Sequence, residues 1–153
     1  MNVLNPDQSA ESLISRANKV LPAGSFGNMP GDIVLERGKA GRVWDINGTE
    51  YVDFLLGSGP MFVGHAHPDV TKAITEQAPQ GTTFFANNQY GIKLAEEICE
   101  AMACADQLRF VSSGSEATLY AMRLARAYRK RDKILKFEGG YHGMSDYSLM
   151  SLA

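Results

Sequence analysis

The sequence predicts an α/β fold in which a small antiparallel sheet precedes the start of a parallel sheet. Three short runs rich in β-branched and aromatic residues lie between residues 33 and 54, and an Asn-Gly pair at 47–48, a strong hairpin signal, separates the last two. Farther along, an apolar run at Leu108–Ser112, a helical pattern at Glu116–Arg129 and an apolar run at Ile134–Phe137 follow one another. This βαβ order is typical of a parallel sheet with a right-handed crossover.

Three further helices are predicted before residue 103. Ser9 is a suitable N-cap for the first helix, which Pro22 ends, and Pro68 occupies a typical first position of the second. The third helix has one apolar face, formed by Leu94, Ala95, Ile98 and Met102.

The order of these elements predicts two parts. Residues 1–60 hold the first helix and the antiparallel meander, which we assign to a small domain, and residues 61–153 begin a larger, mostly parallel α/β/α domain. A single βαβ unit cannot bury a parallel sheet on both faces. We therefore expect the chain to be the N-terminal portion of a longer protein.

Composition excludes several classes of function. The 153 residues are 44% hydrophobic and 21% charged, as in ordinary globular proteins, and the formal net charge of −2 argues against nucleic-acid or membrane-surface binding by bulk charge. Cys99 and Cys104 have neither a redox nor a zinc spacing, which favours the reducing cytoplasm. The sequence shows no secretory signal pattern and no apolar run of membrane-spanning length.

The segment Ser112-Ser113-Gly114-Ser115 joins the first predicted strand of the βαβ unit to its helix. Serine is a good helix cap, so capping alone explains the hydroxyls. The alternative is an anion site, because a helix N-terminus offers unpaired N–H groups and glycine permits close approach. Glu116 competes with an anion there unless its carboxylate points away.

The segment FEGGYHGMSD follows the second predicted strand, so it lies at the same carboxyl edge of the sheet. There the ring of Tyr141 can stack on a flat heteroaromatic ligand, with His142 beside it. A flexible loop with an incidental Tyr-His pair is the alternative. The histidines of GHAHP, His65 and His67, lack a third ligand at a suggestive spacing, so we predict a helix-entry turn there and no metal site.

Four motifs in order resemble one family: RVWDINGTEYVDF, GPMFVGHAHPDV, FVSSGSEATLYAMRLAR and KILKFEGGYHG. They are similar to the N-terminal third of class-III, fold-type-I enzymes that use pyridoxal 5′-phosphate, and most similar to the glutamate-1-semialdehyde aminomutase-like branch. The resemblance implies that Gly114 and Ser115, with Ser113 adjacent, bind the cofactor phosphate. It also implies that Tyr141 stacks on the pyridine ring beside His142, that the substrate is a small amino compound, and that the full-length protein is a homodimer.

Two departures from the aminomutase branch argue against glutamate semialdehyde as the substrate. The loop GSFGNMPG lacks the arginine that holds a substrate carboxylate in that branch, and Ser58 replaces an aromatic residue before Gly-Pro-Met. Aminotransferase and aminomutase activities therefore both stay open. In the family the Schiff-base lysine lies downstream of the matched positions, so we expect the chain alone to be inactive. The alternatives are a non-catalytic phosphate- or nucleotide-binding module and a structural remnant that binds nothing.

Overall fold

The chain folds into two compact units in the computed structural model, which describes residues 9–26 and 29–152. The first unit ends at Thr83 and the second begins at Phe84. The predicted division between residues 60 and 61 concerns the domains of a longer protein and stays a prediction.

The first unit combines two helices with an antiparallel sheet of order β1-β2-β3 in its described residues. Its helices and strands are α1 (Ala10–Val20), β1 (Leu35–Lys39), β2 (Arg42–Asp45), β3 (Glu50–Val52) and α2 (Pro68–Gln77). Short 3₁₀ turns occur at Pro22–Gly24, Leu56–Ser58 and Ala78–Gln80. The predicted meander is therefore confirmed. Two residues of the loop GSFGNMPG, at positions 27 and 28, lie outside the described residues.

Local signals fix the ends of these elements. The Ser9 hydroxyl oxygen accepts the N–H of Ser12 at 3.2 Å and caps α1, and Pro68 is the first residue of α2, both as predicted. The hairpin between β2 and β3 turns at the Asn-Gly pair, where Gly48 has a φ of +87°. That left-handed conformation favours glycine, so the sequence signal and the backbone agree.

Asp45 holds the β2–β3 turn together. Its carboxylate accepts the N–H groups of Asn47 at 3.0 Å and Thr49 at 2.8 Å, and the hydroxyl of Tyr51 at 3.0 Å. Burial raises the pKa of Asp45, but these hydrogen bonds outweigh burial and keep its pKa below the ordinary value of 3.8. The ionised carboxylate is thus the form that the turn stabilises.

His65 is attached to both β1 and the end of β3. Its backbone pairs with Ala40 through two hydrogen bonds of 2.9 Å, and its Nε2 lies 2.6 Å from a carboxylate oxygen of Asp53. The hydrogen bond from His65, together with the N–H groups of Leu56 and Leu55, lowers the pKa of Asp53. The first histidine of the GHAHP segment therefore has a structural partner within the fold.

The second unit consists of helices and extended connections in its described residues. Its helices are α3 (Gln89–Ala101), α4 (Gly114–Arg129) and α5 (Asp146–Leu149). The predictions of α3 and α4 are confirmed, but the strands predicted at Leu108–Ser112 and Ile134–Phe137 are wrong. Neither segment forms strand pairing with another described segment, and a strand in a parallel sheet exists only through such pairing.

Few large apolar side chains are buried. Among the described residues Val43, 8% exposed, is the buried hydrophobic residue, whereas Leu135 and Phe137 are 99% and 88% exposed. The apolar run at 134–137 thus has the composition of a buried strand, but its apolar side chains are exposed and it pairs with no described strand. No helix within the described ranges has both the length and the apolar character needed to cross a bilayer.

We expect acid to weaken the sheet through Asp45. Because its pKa is lowered on folding, its hydrogen bonds contribute stability above 3.8, and this contribution is lost as pH falls through the lower folded-state pKa. Asp45→Asn should remove that part of the acid dependence, so melting temperatures at about pH 7 and about pH 3 should differ less. The fluorescence of Trp44, the only tryptophan of the chain, reports the transition.

Glu36→Gln is the matched control, since it removes an exposed carboxylate from the neighbouring strand β1. This variant should keep the full acid dependence. Identical pH profiles for the two variants would show that Asp45 does not carry the effect.

Candidate functional site

The carboxylate in the first turn of α4, that of Glu116, accepts a hydrogen bond from the neighbouring backbone. Ser113 is the N-cap, and its hydroxyl oxygen accepts the N–H of Glu116 at 3.2 Å. The Glu116 carboxylate turns back and accepts the N–H of Ser112 at 2.7 Å. This is close to a capping box, in which the cap and the third helical residue satisfy each other's backbone. The negative charge that would compete with a bound anion is therefore directed at the backbone that precedes the helix.

The N–H groups of Gly114 and Ser115 remain as donors at this helix end. Neither donates a hydrogen bond to a described residue, and the first N–H groups of a helix have no acceptor within the helix itself. A Cβ added at Gly114 would meet no atom within 4 Å, and the φ of Gly114 lies outside the left-handed region. Neither packing against the described residues nor backbone conformation requires glycine here, so the space at this position is open to a ligand.

The loop that contains Tyr141 and His142 is attached directly to this turn. The Ser115 hydroxyl oxygen accepts the N–H of Met144 at 3.0 Å, and the Thr118 hydroxyl donates to the carbonyl of His142 at 2.6 Å. Between them Gly143 packs so closely that an added Cβ would lie 2.6 Å from the Cα of Ser115. We call these two hydrogen bonds and the Gly143 contact the α4–loop clasp.

The five predicted site residues thus lie on two segments that the structure joins. Ser113, Gly114 and Ser115 form the start of α4, and His142 contacts that helix through its carbonyl. Tyr141 immediately precedes His142, and its side chain is 63% exposed. Tyr141 is therefore adjacent in sequence to a residue that contacts the helix, and its side chain is accessible to a ligand.

Sequence reasoning missed Thr118 and the N–H of Met144. A usable signal existed for Thr118, which follows Ser115 by three residues and so occupies the same helix face. The Met144 donor had no such signal, because a backbone N–H carries no mark in the sequence. The 29 residues that separate it from Ser115 also hide the contact.

A cavity of about 550 Å³ adjoins the clasp, within the size range of small-molecule sites. Its lining includes Thr118, Met122, Phe137, His142 and Met150. At one side Lys136 donates to the carbonyl of Ser148 at 2.7 Å, so its ammonium group is already engaged.

A helix end with two N–H donors that have no described partner is joined to a loop that carries an exposed aromatic residue, an arrangement expected of a site for an anionic aromatic ligand. The comparison with known proteins identifies the family to which this chain belongs. The chain belongs to the class-III aminotransferase family, whose profile matches residues 24–153. The resemblance inferred from the four motifs is therefore confirmed.

Individual relatives agree with this assignment. The glutamate-1-semialdehyde 2,1-aminomutase of Neisseria gonorrhoeae is 45% identical over an alignment of 147 residues, and the match covers 92% of this chain and 34% of that protein. An omega-transaminase from Sphaerobacter thermophilus has a TM-score of 0.86 and 35% identity, covering 96% of this chain and 34% of that one. A transaminase with PLP bound has a TM-score of 0.83 and 34% identity, with coverages of 91% and 34%.

The chain thus spans about a third of the length of the curated relatives it matches. The solved structures confirm the predicted fold class, the N-terminal part of the fold-type-I architecture with its small antiparallel sheet.

Gly143→Ala is expected to break the clasp. A left-handed φ of +97° costs an alanine about 1–2 kcal/mol, and overlap of its Cβ with Ser115 should add about 1–3 kcal/mol. Gly139→Ala is the matched control, since its φ is +73° but its added Cβ meets nothing within 4 Å. Urea denaturation of both variants measures the difference. Equal destabilisation would contradict the close packing of Gly143 on α4.

Proposed function

We propose that this chain forms the N-terminal, cofactor-binding part of a pyridoxal 5′-phosphate-dependent aminotransferase or aminomutase. The observation that carries the proposal is the pair of available N–H groups at Gly114 and Ser115, with the Glu116 carboxylate turned away from them. Such a helix end favours a phosphate through its hydrogen-bond donors and its macrodipole. Family membership and a related transaminase with PLP bound make the phosphate that of pyridoxal.

The first turn of α4 would hold the phosphate. The backbone N–H groups of Gly114 and Ser115 donate to phosphate oxygens, and the open space at Gly114 admits them. The Ser115 hydroxyl oxygen already accepts from Met144, so its own hydrogen is available to a third phosphate oxygen. Ser113 contributes mainly as the cap that keeps these donors aligned, because its oxygen is engaged with the N–H of Glu116.

The Tyr141 ring would cover one face of the pyridine, with His142 beside it. An exposed aromatic ring next to the phosphate site suits this role, since offset stacking of aromatic rings is favourable. When bound, pyridoxal phosphate supplies an electron-withdrawing ring that stabilises negative charge on the substrate. The contribution of this part of the chain is orientation of the cofactor and exclusion of water from one face of its ring.

The relatives indicate the substrate class and the assembly. A glutamate-1-semialdehyde aminomutase and an omega-transaminase both align with this chain, so we propose an amino acid, amine or amino-aldehyde as the substrate. We also propose a homodimeric full-length protein in the cytoplasm, which agrees with the free thiols of Cys99 and Cys104.

Gly114→Val tests the phosphate site. A side chain there would displace the phosphate from the N–H donors, and a charge-assisted hydrogen bond contributes about 1.5–3 kcal/mol. We expect the affinity of the full-length protein for pyridoxal 5′-phosphate to fall at least about 10-fold. Affinity for pyridoxal, which lacks the phosphate, should change little. Absorbance titration measures both constants.

Gly41→Val is the control for Gly114→Val, because Gly41 also has open space around its Cβ position but lies in the β1–β2 turn. It should leave both affinities unchanged. If Gly114→Val folds and binds pyridoxal 5′-phosphate as tightly as the unsubstituted protein, the phosphate site is misassigned.

The chain of 153 residues alone should not transaminate. Every lysine of the chain lies outside the α4 turn and the loop with Tyr141, and none matches the family's Schiff-base lysine. We expect the full-length protein to turn over amino donors in the presence of pyridoxal 5′-phosphate and the isolated chain to show none. Coupled assays of both proteins measure this. Turnover by the isolated chain would place the essential lysine among these residues.

A further inference from the structure

We infer that Thr118 is a positioning residue that holds the Tyr141 ring at the phosphate end of α4. This inference rests on the proposed function and extends it to a residue that touches neither the phosphate nor the ring. Its basis is the Thr118 hydrogen bond in the α4–loop clasp, which joins positions 24 residues apart.

The distances identify which carbonyl oxygen accepts the hydrogen bond from the Thr118 hydroxyl. Its hydroxyl oxygen lies 2.6 Å from the carbonyl oxygen of His142 and 3.1 Å from the carbonyl oxygens of Gly114 and Ser115. A hydroxyl has a single hydrogen to donate, so we assign it to the shortest of these three contacts, the one to His142. Helical threonines commonly return this hydrogen to their own helix, as Thr75 does toward the carbonyl of Thr71 at 2.8 Å. Thr118 instead donates it to another segment.

Tyr141 depends on its neighbours for its position. Its side chain makes no hydrogen bond with a described residue and is largely exposed. The adjacent His142 carbonyl is fixed by Thr118, and two residues farther on the N–H of Met144 is fixed by Ser115. Consecutive Cα atoms are about 3.8 Å apart, so fixing His142 restricts the Tyr141 backbone to the helix end.

The two hydrogen bonds of the clasp therefore have different consequences. Ser115 both binds the loop and presents its own N–H to the phosphate, so its replacement would disturb both functions. Thr118 lies one helical turn farther along and contributes to the loop alone. Replacement of Thr118 by valine keeps the volume of the side chain and leaves the His142 carbonyl without its donor. The phosphate donors would remain, and the ring would lose its fixed position.

The experiment uses the full-length protein and compares Thr118→Val with Thr118→Ser, which restores the hydroxyl. We expect Thr118→Val to weaken binding of pyridoxal 5′-phosphate about 2- to 13-fold, the effect of one net hydrogen bond. The circular dichroism of the bound cofactor should also decrease, because it reports the orientation of the ring. Binding of inorganic phosphate to the apoprotein should be unchanged. Thr118→Ser should recover the affinity and the dichroism.

Two further variants separate positioning from general stability. Thr75→Val removes a helical threonine hydroxyl whose hydrogen bond stays within its own helix, and it should change neither signal. In a Tyr141→Ala background Thr118→Val should have no additional effect, because its influence passes through the ring. Where Thr118→Val fails to fold, Thr118→Ala takes its place in the same cycle.

Several results would overturn the inference. They are unchanged cofactor affinity and dichroism in Thr118→Val, fully additive effects of the Thr118 and Tyr141 substitutions, or an equal loss of inorganic phosphate binding. Failure of the unsubstituted full-length protein to bind pyridoxal 5′-phosphate would instead refute the proposed function.

Discussion

The candidate site depends on the attachment of one loop to one helix end. The Gly143 backbone lies against Ser115, and hydrogen bonds from Thr118 and to Ser115 hold the residues on either side of it. Without this attachment the N–H groups at the start of α4 and the aromatic ring of Tyr141 would belong to segments with no fixed relation. The contact requires glycine twice over, since position 143 has a left-handed φ and no room for a side chain. A small residue in the loop thus determines whether the two halves of the site meet.

The same helix end shows how a capped helix can keep N–H donors available for an anion. A helix presents four N–H groups without intrahelical partners at its start. At α4, the N–H of the third helical residue, Glu116, donates to the Ser113 hydroxyl, and the Glu116 carboxylate accepts the N–H of Ser112 outside the helix. Capping and anion binding are therefore not competing explanations for the serines. Ser113 does the first, which leaves Gly114 and Ser115 available for the second.

Sequence reasoning succeeded where the cause of a structure is local. The Ser9 cap, Pro68 at the start of α2 and the Asn-Gly hairpin at 47–48 all depend on neighbours within a few residues, and each was predicted correctly. It failed at 108–112 and 134–137, because an apolar run shows a tendency to be buried and does not show which strand pairs with it. The capped start of α4 also followed from a local pattern, and its use as a phosphate site stays a prediction. Thr118 and Met144 were missed because their partners lie 24 and 29 residues away.

The exposed apolar residues and the candidate site depend on different parts of the protein for their contacts. Side chains such as Leu135 and Phe137 lack cover among the described residues, and a chain that matches a third of its relatives' length is consistent with cover supplied by the rest of a longer protein. The hydrogen bonds of the α4–loop clasp, by contrast, all lie within the second unit. The attachment of the loop to the start of α4 therefore depends on contacts within this unit alone. In the proposed full-length protein, strands from elsewhere would bury the apolar run, and a lysine from elsewhere would complete the chemistry.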